Sequence, residues 1–311
     1  MSPGKVRPTI VASGNGSAAL PEGVRILARG GSALDAVEAC ARIVEADPED
    51  RSVGLAGKPT VLGEVELDAS IMDGTTRTAG AVAALAGYVH PISIARAVMT
   101  KLPHVMLAGD GAARFAREIG AEPAELLTDA TRELWVERLR LADQTPASVA
   151  RVAALAPVVW ATVQEERGTV NFVAVDARGN IASAVSTSGW AYKYPGRVGD
   201  SPIIGAGNYC DSRYGGAACT GFGELAMRCL TAKTAIDRLA AGATPAEAAR
   251  SVIAEATALE SPGTRLNIVI LAATGEHAAA TTKPGVQYAH QRTGMSEPEL
   301  EPRVVVPRRG R

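Results

Sequence analysis

Aromatic side chains are scarce, at 4% of 311 residues, so Ala, Val, Leu and Ile must fill most of any core. None of the four cysteines (Cys40, Cys210, Cys219, Cys229) shows CxxC spacing, and the four histidines are scattered, which argues against a zinc site. No charge of one sign dominates: 32 Lys and Arg stand against 33 Asp and Glu, so nothing marks nucleic acid or an anionic membrane as partner. No apolar run reaches transmembrane length, and the N-terminus lacks the apolar stretch of a signal peptide. The expectation is a globular protein of the reducing cytoplasm, with neither metal nor cofactor.

Several segments have readable structure. TIVAS at 9–13 reads as a buried strand. The following GNGSAA matches a loose dinucleotide-binding turn, and Asp35 lies where a ribose-binding acid would be expected. Pro21 would fall inside the helix that such a turn must open, so a glycine-containing loop is the better reading. Ser32 with Asp35 caps a helix at 32–45, whose Ala33, Leu34, Val37, Ala41 and Val44 recur on one face. A loop is expected at 51–63, a strand at 65–72, a second short strand at 80–89 whose alanines suit a helix equally, and helices at 92–99 and 111–119, with 105–107 extended. Glu66, Asp68 and Asp73 could be taken for a catalytic carboxylate set; strand-end and turn roles suit them better without metal ligands nearby.

Residues 121–168 are charged and helix-prone and contain no glycine between Gly120 and Gly168, which fits helices in an exposed connector. The pattern then switches: TVNFVAVD at 169–176, a turn at 177–179, and NIASAVST at 180–187 form a hairpin. Thr169 and Thr187 therefore fall at the same edge. A glycine-rich loop, a CTG turn, a helix at 223–239, another at 245–259 with Thr244 as N-cap, a strand at 265–273 and a basic tail at 303–311 complete the chain.

Threonine is a poor nucleophile without an adjacent base, but an N-terminal threonine can use its own α-amine. That amine has a pKa of about 7.7–8.0, suited to accepting a proton at neutral pH. Thr169 is internal, so the Gly168–Thr169 bond would have to break first, through an acyl shift onto the hydroxyl. Read without further context, each residue has a plain alternative. Thr169 could simply open a strand, Arg197 and Asp200 could form a solvated loop pair, and Thr220 could be a helix N-cap.

Taken in order, GTV at 168–170, ST at 186–187, PGRVGDSP at 195–202, GAG at 205–207 and CTG at 219–221 resemble one family. It is that of the threonine N-terminal-nucleophile hydrolases: plant-type asparaginases, isoaspartyl peptidases and glycosylasparaginases. GSALDAV at 31–37, VELDA at 65–69, IMDG at 71–74 and GAV at 80–82 extend the resemblance over nearly the whole chain. It implies an α+β four-layer αββα sandwich, a single domain over 1–311. Autocleavage would divide it into 1–168 (with a helical linker at about 121–168) and 169–311, and pairs of cut chains would form dimers. It also implies Thr169 as nucleophile, Thr187 as its tuning partner, Arg197 and Asp200 as grips on the α-carboxylate and α-ammonium of an aspartyl group, and Thr220 with Gly221 as oxyanion hole. The implied reaction is hydrolysis of the β-amide of asparagine, a β-aspartyl dipeptide or N4-(β-N-acetylglucosaminyl)-asparagine; a non-catalytic, unprocessed amino-acid-binding relative is the alternative. SGNGS at 13–17 replaces the segment that opens many members, and Asn171 stands where members usually have Gly. DPEDRSVGLAGKP at 47–59 resembles the glycosylasparaginase branch, whereas Gly168 resembles the asparaginase branch, so the leaving group stays open.

Overall fold

The computed structural model describes residues 6–163, 167–259 and 265–307. Strand β1 (Thr9–Ser13) runs through a 3-10 turn (Gly14–Ala19) into α1 (Leu20–Ala28). This corrects the expected loop: Pro21 lies in the first turn of α1, where its missing N–H is no loss. The glycines here serve packing, since a Cβ on Gly16 would lie 2.9 Å from the Phe172 ring. Helix α2 (Ala33–Glu45) starts where expected, with Ser32 Oγ accepting the Asp35 N–H at 3.1 Å.

Strands β2 (Glu66–Asp73) and β3 (Ala79–Ala86), helix α3 (Pro91–Lys101), strand β4 (Met106–Ala108) and helix α4 (Gly109–Glu118) follow. The connector forms α5 (Asp129–Arg140), α6 (Pro146–Val149) and α7 (Ala156–Thr162). It is less loose than the sequence implied. Trp135 is buried with Val61, Leu67, Leu139 and Tyr192, and its Nε1 donates to the Val61 carbonyl at 3.0 Å.

The hairpin is β5 (Arg167–Val175) and β6 (Ile181–Trp190), followed by β7 (Asn208–Asp211) and β8 (Gly215–Gly221). The CTG segment is thus a strand end. The single helix expected at 223–239 is two, α8 (Gly223–Cys229) and α9 (Thr231–Ala240), because Leu230 turns left-handed with φ 46°. Helix α10 (Pro245–Thr257) has the Thr244 cap completed by Glu247. After β9 (Leu266–Ala272), the expected thinning tail is mostly sheet: β10 (His277–Thr281), β11 (Gln287–Arg292), β12 (Glu299–Pro302) and β13 (Val304–Val305). Residues 308–311 of the predicted basic tail lie outside the described residues, and Arg303 is buried.

The strands make two sheets, ordered β12-β11-β1-β5-β6-β2-β3-β4 and β13-β10-β9-β8-β7. Side chains alternate between the faces of a strand, and three of the hydrophobic clusters follow that rule. Ile10, Ala12, Phe172, Ala174, Ala182 and Ala184 pack with residues of α1–α4. Their neighbours Val11, Val173, Val175, Ile181 and Val185 meet Cys210, Ala218, Val269 and Leu271 of the second sheet. Ala217, Cys219, Ile268 and Ile270 turn outward to α9 and α10. The result is the expected four-layer αββα sandwich. Among the described residues no helix is long and apolar enough to cross a membrane.

Emptying a buried aromatic site costs about 3–5 kcal/mol. Trp135→Ala is therefore expected to lower the stability measured by denaturant titration by that amount. A loss near zero would mean that the connector is not part of the packed body.

Candidate active site

The alternation that builds the layers also assembles the site. Asn171, Val173 and Val175 face the inter-sheet space, and Thr169 continues their parity at the start of β5. On β8 the inward set is Ala218 and Thr220. On β6 it includes Ser183 and Val185, whereas Ser186 points the other way and donates to Glu45 of α2 at 2.7 Å. The β5–β6 register then slips by one residue between Gly168↔Gly189 and Val170↔Ser186. Such a bulge re-aims side chains. Here it sets Thr187 against the Gly168–Thr169 bond.

Thr169 Oγ1 donates to Thr187 Oγ1 at 3.1 Å and lies 2.8 Å from the Gly168 carbonyl oxygen. Thr187 Oγ1 donates to that same carbonyl at 2.5 Å and is held by the Gly189 N–H at 2.8 Å. Gly168 has no room for a side chain, because a Cβ would sit 1.7 Å from the Ser52 Cβ.

The loop bearing Arg197 and Asp200 is braced from beneath by buried carboxylates. Both oxygens of Glu66 accept the Gly196 N–H, at 3.0 and 2.9 Å. Asp68 accepts the Ala84 N–H at 2.8 Å with one oxygen and the Gly199 N–H at 3.1 Å with the other. Lys193 is fully buried beside them, its Nζ 3.0 Å from the Glu66 carbonyl, and burial lowers its pKa. Glu66, at the end of β2 as expected, and Asp68, within that strand, therefore anchor the loop. Asp73 does keep its turn role, accepting the Thr75 N–H at 2.8 Å.

Arg197 and Asp200 are not a solvated pair. Arg197 donates from Nε and Nη2 to Glu224 Oε1 at 3.0 and 2.7 Å, and its guanidinium lies 5.1 Å from the Trp190 ring centroid. Asp200 is buried, and that burial pushes its carboxyl up to about 6 despite the favourable charge of Arg197. Gly223 packs so closely that a Cβ would lie 2.7 Å from Asp200 Oδ1. Together with Thr169, Thr187, Trp190 and Gly221, these two residues border a narrow pocket of about 10 Å³.

On the other side of Thr169 opens a larger cleft of about 550 Å³, bordered by Asn15, Ser52, Thr220, Gly221, Arg265 and Arg303 among others. Thr220 is no helix cap: it ends β8, and its Oγ1 accepts from Asn267 Nδ2 at 2.9 Å. Gly221 has φ 109° and lies against the Arg265 carbonyl, a backbone closed to other residues. Asn171 ties three strands together, its Oδ1 accepting the Ser13 N–H at 2.9 Å and its Nδ2 donating to the Cys219 carbonyl at 3.3 Å.

The seven residues singled out in the sequence, Gly168, Thr169, Thr187, Arg197, Asp200, Thr220 and Gly221, thus meet around one junction. Those overlooked are its supports: Glu66, Asp68, Asn171, Trp190, Glu224 and Asn267. Acids at alternate positions of a strand otherwise expected to be buried (Glu66, Asp68) were the available signal, because buried carboxylates need partners.

A model of the asparaginase family matches residues 11–298. Among curated relatives, an N(4)-(Beta-N-acetylglucosaminyl)-L-asparaginase of Elizabethkingia miricola is 41% identical over 248 residues, 79% of this chain and 68% of that protein. A plant-type L-asparaginase of Pyrococcus furiosus is 39% identical over 269 residues, covering 86% of each. An isoaspartyl peptidase/L-asparaginase of Mus musculus is 38% identical over 291 residues, 91% of this chain and 82% of that protein.

Asp68→Asn keeps the size of the side chain but replaces one acceptor by a donor. A hydrogen bond to a charged group is worth about 1.5–3 kcal/mol, so a rise of about tenfold or more in KM, with kcat less affected, is expected from steady-state kinetics.

Proposed function

The chain belongs to the asparaginase family and is a hydrolase of asparaginyl or aspartyl substrates, and from that premise we propose that its nucleophile is Thr169, exposed by autocleavage after Gly168. The observation that carries this reading is the hydrogen-bonded junction of Thr169, Gly168 and Thr187. In the uncut chain the Thr169 hydroxyl lies beside the carbonyl that it must attack. Thr187, donating to that carbonyl oxygen, polarises it. Attack forms an ester between Gly168 and Thr169 Oγ1 while the peptide nitrogen leaves as the free α-amine, and water then cleaves the ester.

Gly168 and Thr169 border both the narrow pocket and the larger cleft. Cutting between them would open the one to the other and make room for substrate. The two pieces would remain one packed body, because β5 of the second pairs with β1 of the first. The reading extends to association of two such cut chains.

In the mature site, Arg197 would take the α-carboxylate of an aspartyl group and Asp200 its α-ammonium, presenting the β-carbonyl to Thr169. The Thr169 amine would accept the hydroxyl proton. Thr220 Oγ1 and the Gly221 N–H would stabilise the oxyanion, with Asn267 fixing the Thr220 hydroxyl. The amide nitrogen would leave protonated, and water would release aspartate from the resulting ester. The names of the relatives support β-amides of aspartate as the substrate class, with ammonia, an amino acid or a glycosylamine as leaving group.

Thr169→Ala should abolish release of aspartate from all three substrate types, measured by product chromatography; retained turnover would refute the assignment. Asp200 holds a cation only when ionised. Its carboxyl is raised to about 6 in the free site, so KM should climb as pH falls through that value, while Asp200→Asn should raise KM at every pH and flatten the profile.

A further inference from the structure

We propose that Arg303 and Arg265 form an anion site in the larger cleft, which takes the free carboxylate of an amino-acid leaving group. This rests on the reading of Thr169 given above and narrows the substrate to β-aspartyl dipeptides with an unblocked C-terminus.

Arg303 is an unusual buried cation. It is only 4% exposed, yet among the described residues its hydrogen-bond partners are backbone carbonyls: Nε donates to Gln287 at 3.1 Å and Nη1 to Ile268 at 2.9 Å. Among the described residues, the charged or titratable neighbours that act on it most are Arg265, Tyr288 and Cys219, none of them a carboxylate. Burial, reinforced by Arg265, lowers its pKa to about 10. A buried guanidinium without a counter-charge is strongly unfavourable unless an anion completes it, and a guanidinium has five N–H donors, of which these contacts use two. Arg303 and Arg265 both border the cleft that Thr169 borders.

The position fits a leaving group. Ile268, which Arg303 grips, is the next residue along β9 from Asn267, the partner of Thr220. A substrate with its aspartyl end at Arg197 and its β-carbonyl at Thr169 would extend past Thr220 into this cleft. At about 550 Å³ the space far exceeds what ammonia needs. A glycosylamine would bring no negative charge, whereas an amino acid linked through its nitrogen brings a carboxylate. Two acids also border the cleft, and neither is among the groups that act most on Arg303. Asp50 is engaged by the Asn15 side chain at 2.8 Å and by Ser52, and Glu49 is exposed to solvent.

The test compares β-aspartyl-leucine with its C-terminal amide on the full, self-processed enzyme, with L-asparagine and N4-(β-N-acetylglucosaminyl)-asparagine as further substrates. Amidation should lower kcat/KM about tenfold or more, chiefly through KM, since it removes a charge-assisted contact. In Arg265→Gln the ratio between acid and amide should fall toward one. Arg303→Gln should act in the same direction, but Arg303 is buried and its replacement can unfold the chain, so the exposed Arg265 carries the test. Equal kcat/KM for acid and amide in the wild type, or an unchanged ratio in Arg265→Gln, would overturn the anion site while leaving the Thr169 reading intact. Turnover of asparagine or of N4-(β-N-acetylglucosaminyl)-asparagine with neither dipeptide cleaved would overturn this proposal alone, whereas failure on all four would strike at the Thr169 reading, and this proposal with it.

Discussion

The slip in register between β5 and β6 is the constraint on which the site depends. Continued regularly from Val170↔Ser186, the ladder would pair Thr169 with Thr187 and Gly168 with Ser188, but one extra residue on β6 leaves Thr187 and Ser188 together opposite Thr169 and moves Gly168 to Gly189. The consequence is a closed set of contacts among two hydroxyls and one carbonyl. Each hydroxyl reaches the oxygen of the bond that precedes Thr169. Gly168 permits this only because nothing projects from it toward Ser52. The junction is therefore a product of local strand geometry, held by the sandwich on both faces.

Around this junction the two sheets contribute different things. The larger sheet supplies Thr169 and Thr187, together with the buried acids that anchor the loop of Arg197 and Asp200. The smaller supplies Thr220, Gly221 and the asparagine that orients the threonine. Asn171 spans the gap, linking the strand of Thr169 to β1 and to the carbonyl of Cys219, immediately before Thr220. Relative placement of the two halves of the site is thus a matter of inter-sheet packing, in which a displacement of about 1 Å can cost a hundredfold in rate.

Much of this was legible in the amino-acid order. The alternation in TVNFVAVD and NIASAVST gave the hairpin and placed both threonines at one edge, and the Ser32 cap marked the start of α2. Other features depend on tertiary context that short-range patterns do not carry. Pro21 reads as a helix breaker unless its place in the first turn is known. Leu230 carries no turn signal, yet it turns left-handed and divides one helix into two. The strands β10–β13 are short, and β11 and β13 pair with strands distant in sequence, β1 and β10. The resemblance to a family pointed to the residues that meet at the junction, but the supports beneath them emerged only once buried acids could be matched with the N–H groups they accept.

The central claim is that the chain cuts itself at this junction, and the most direct measurement is intact-mass spectrometry of the purified wild-type chain under denaturing conditions, followed over time. The account predicts conversion to two species divided between Gly168 and Thr169, the second beginning with a free threonine amine. A chain that stays whole through long incubation, or that is cut at another bond, would contradict it.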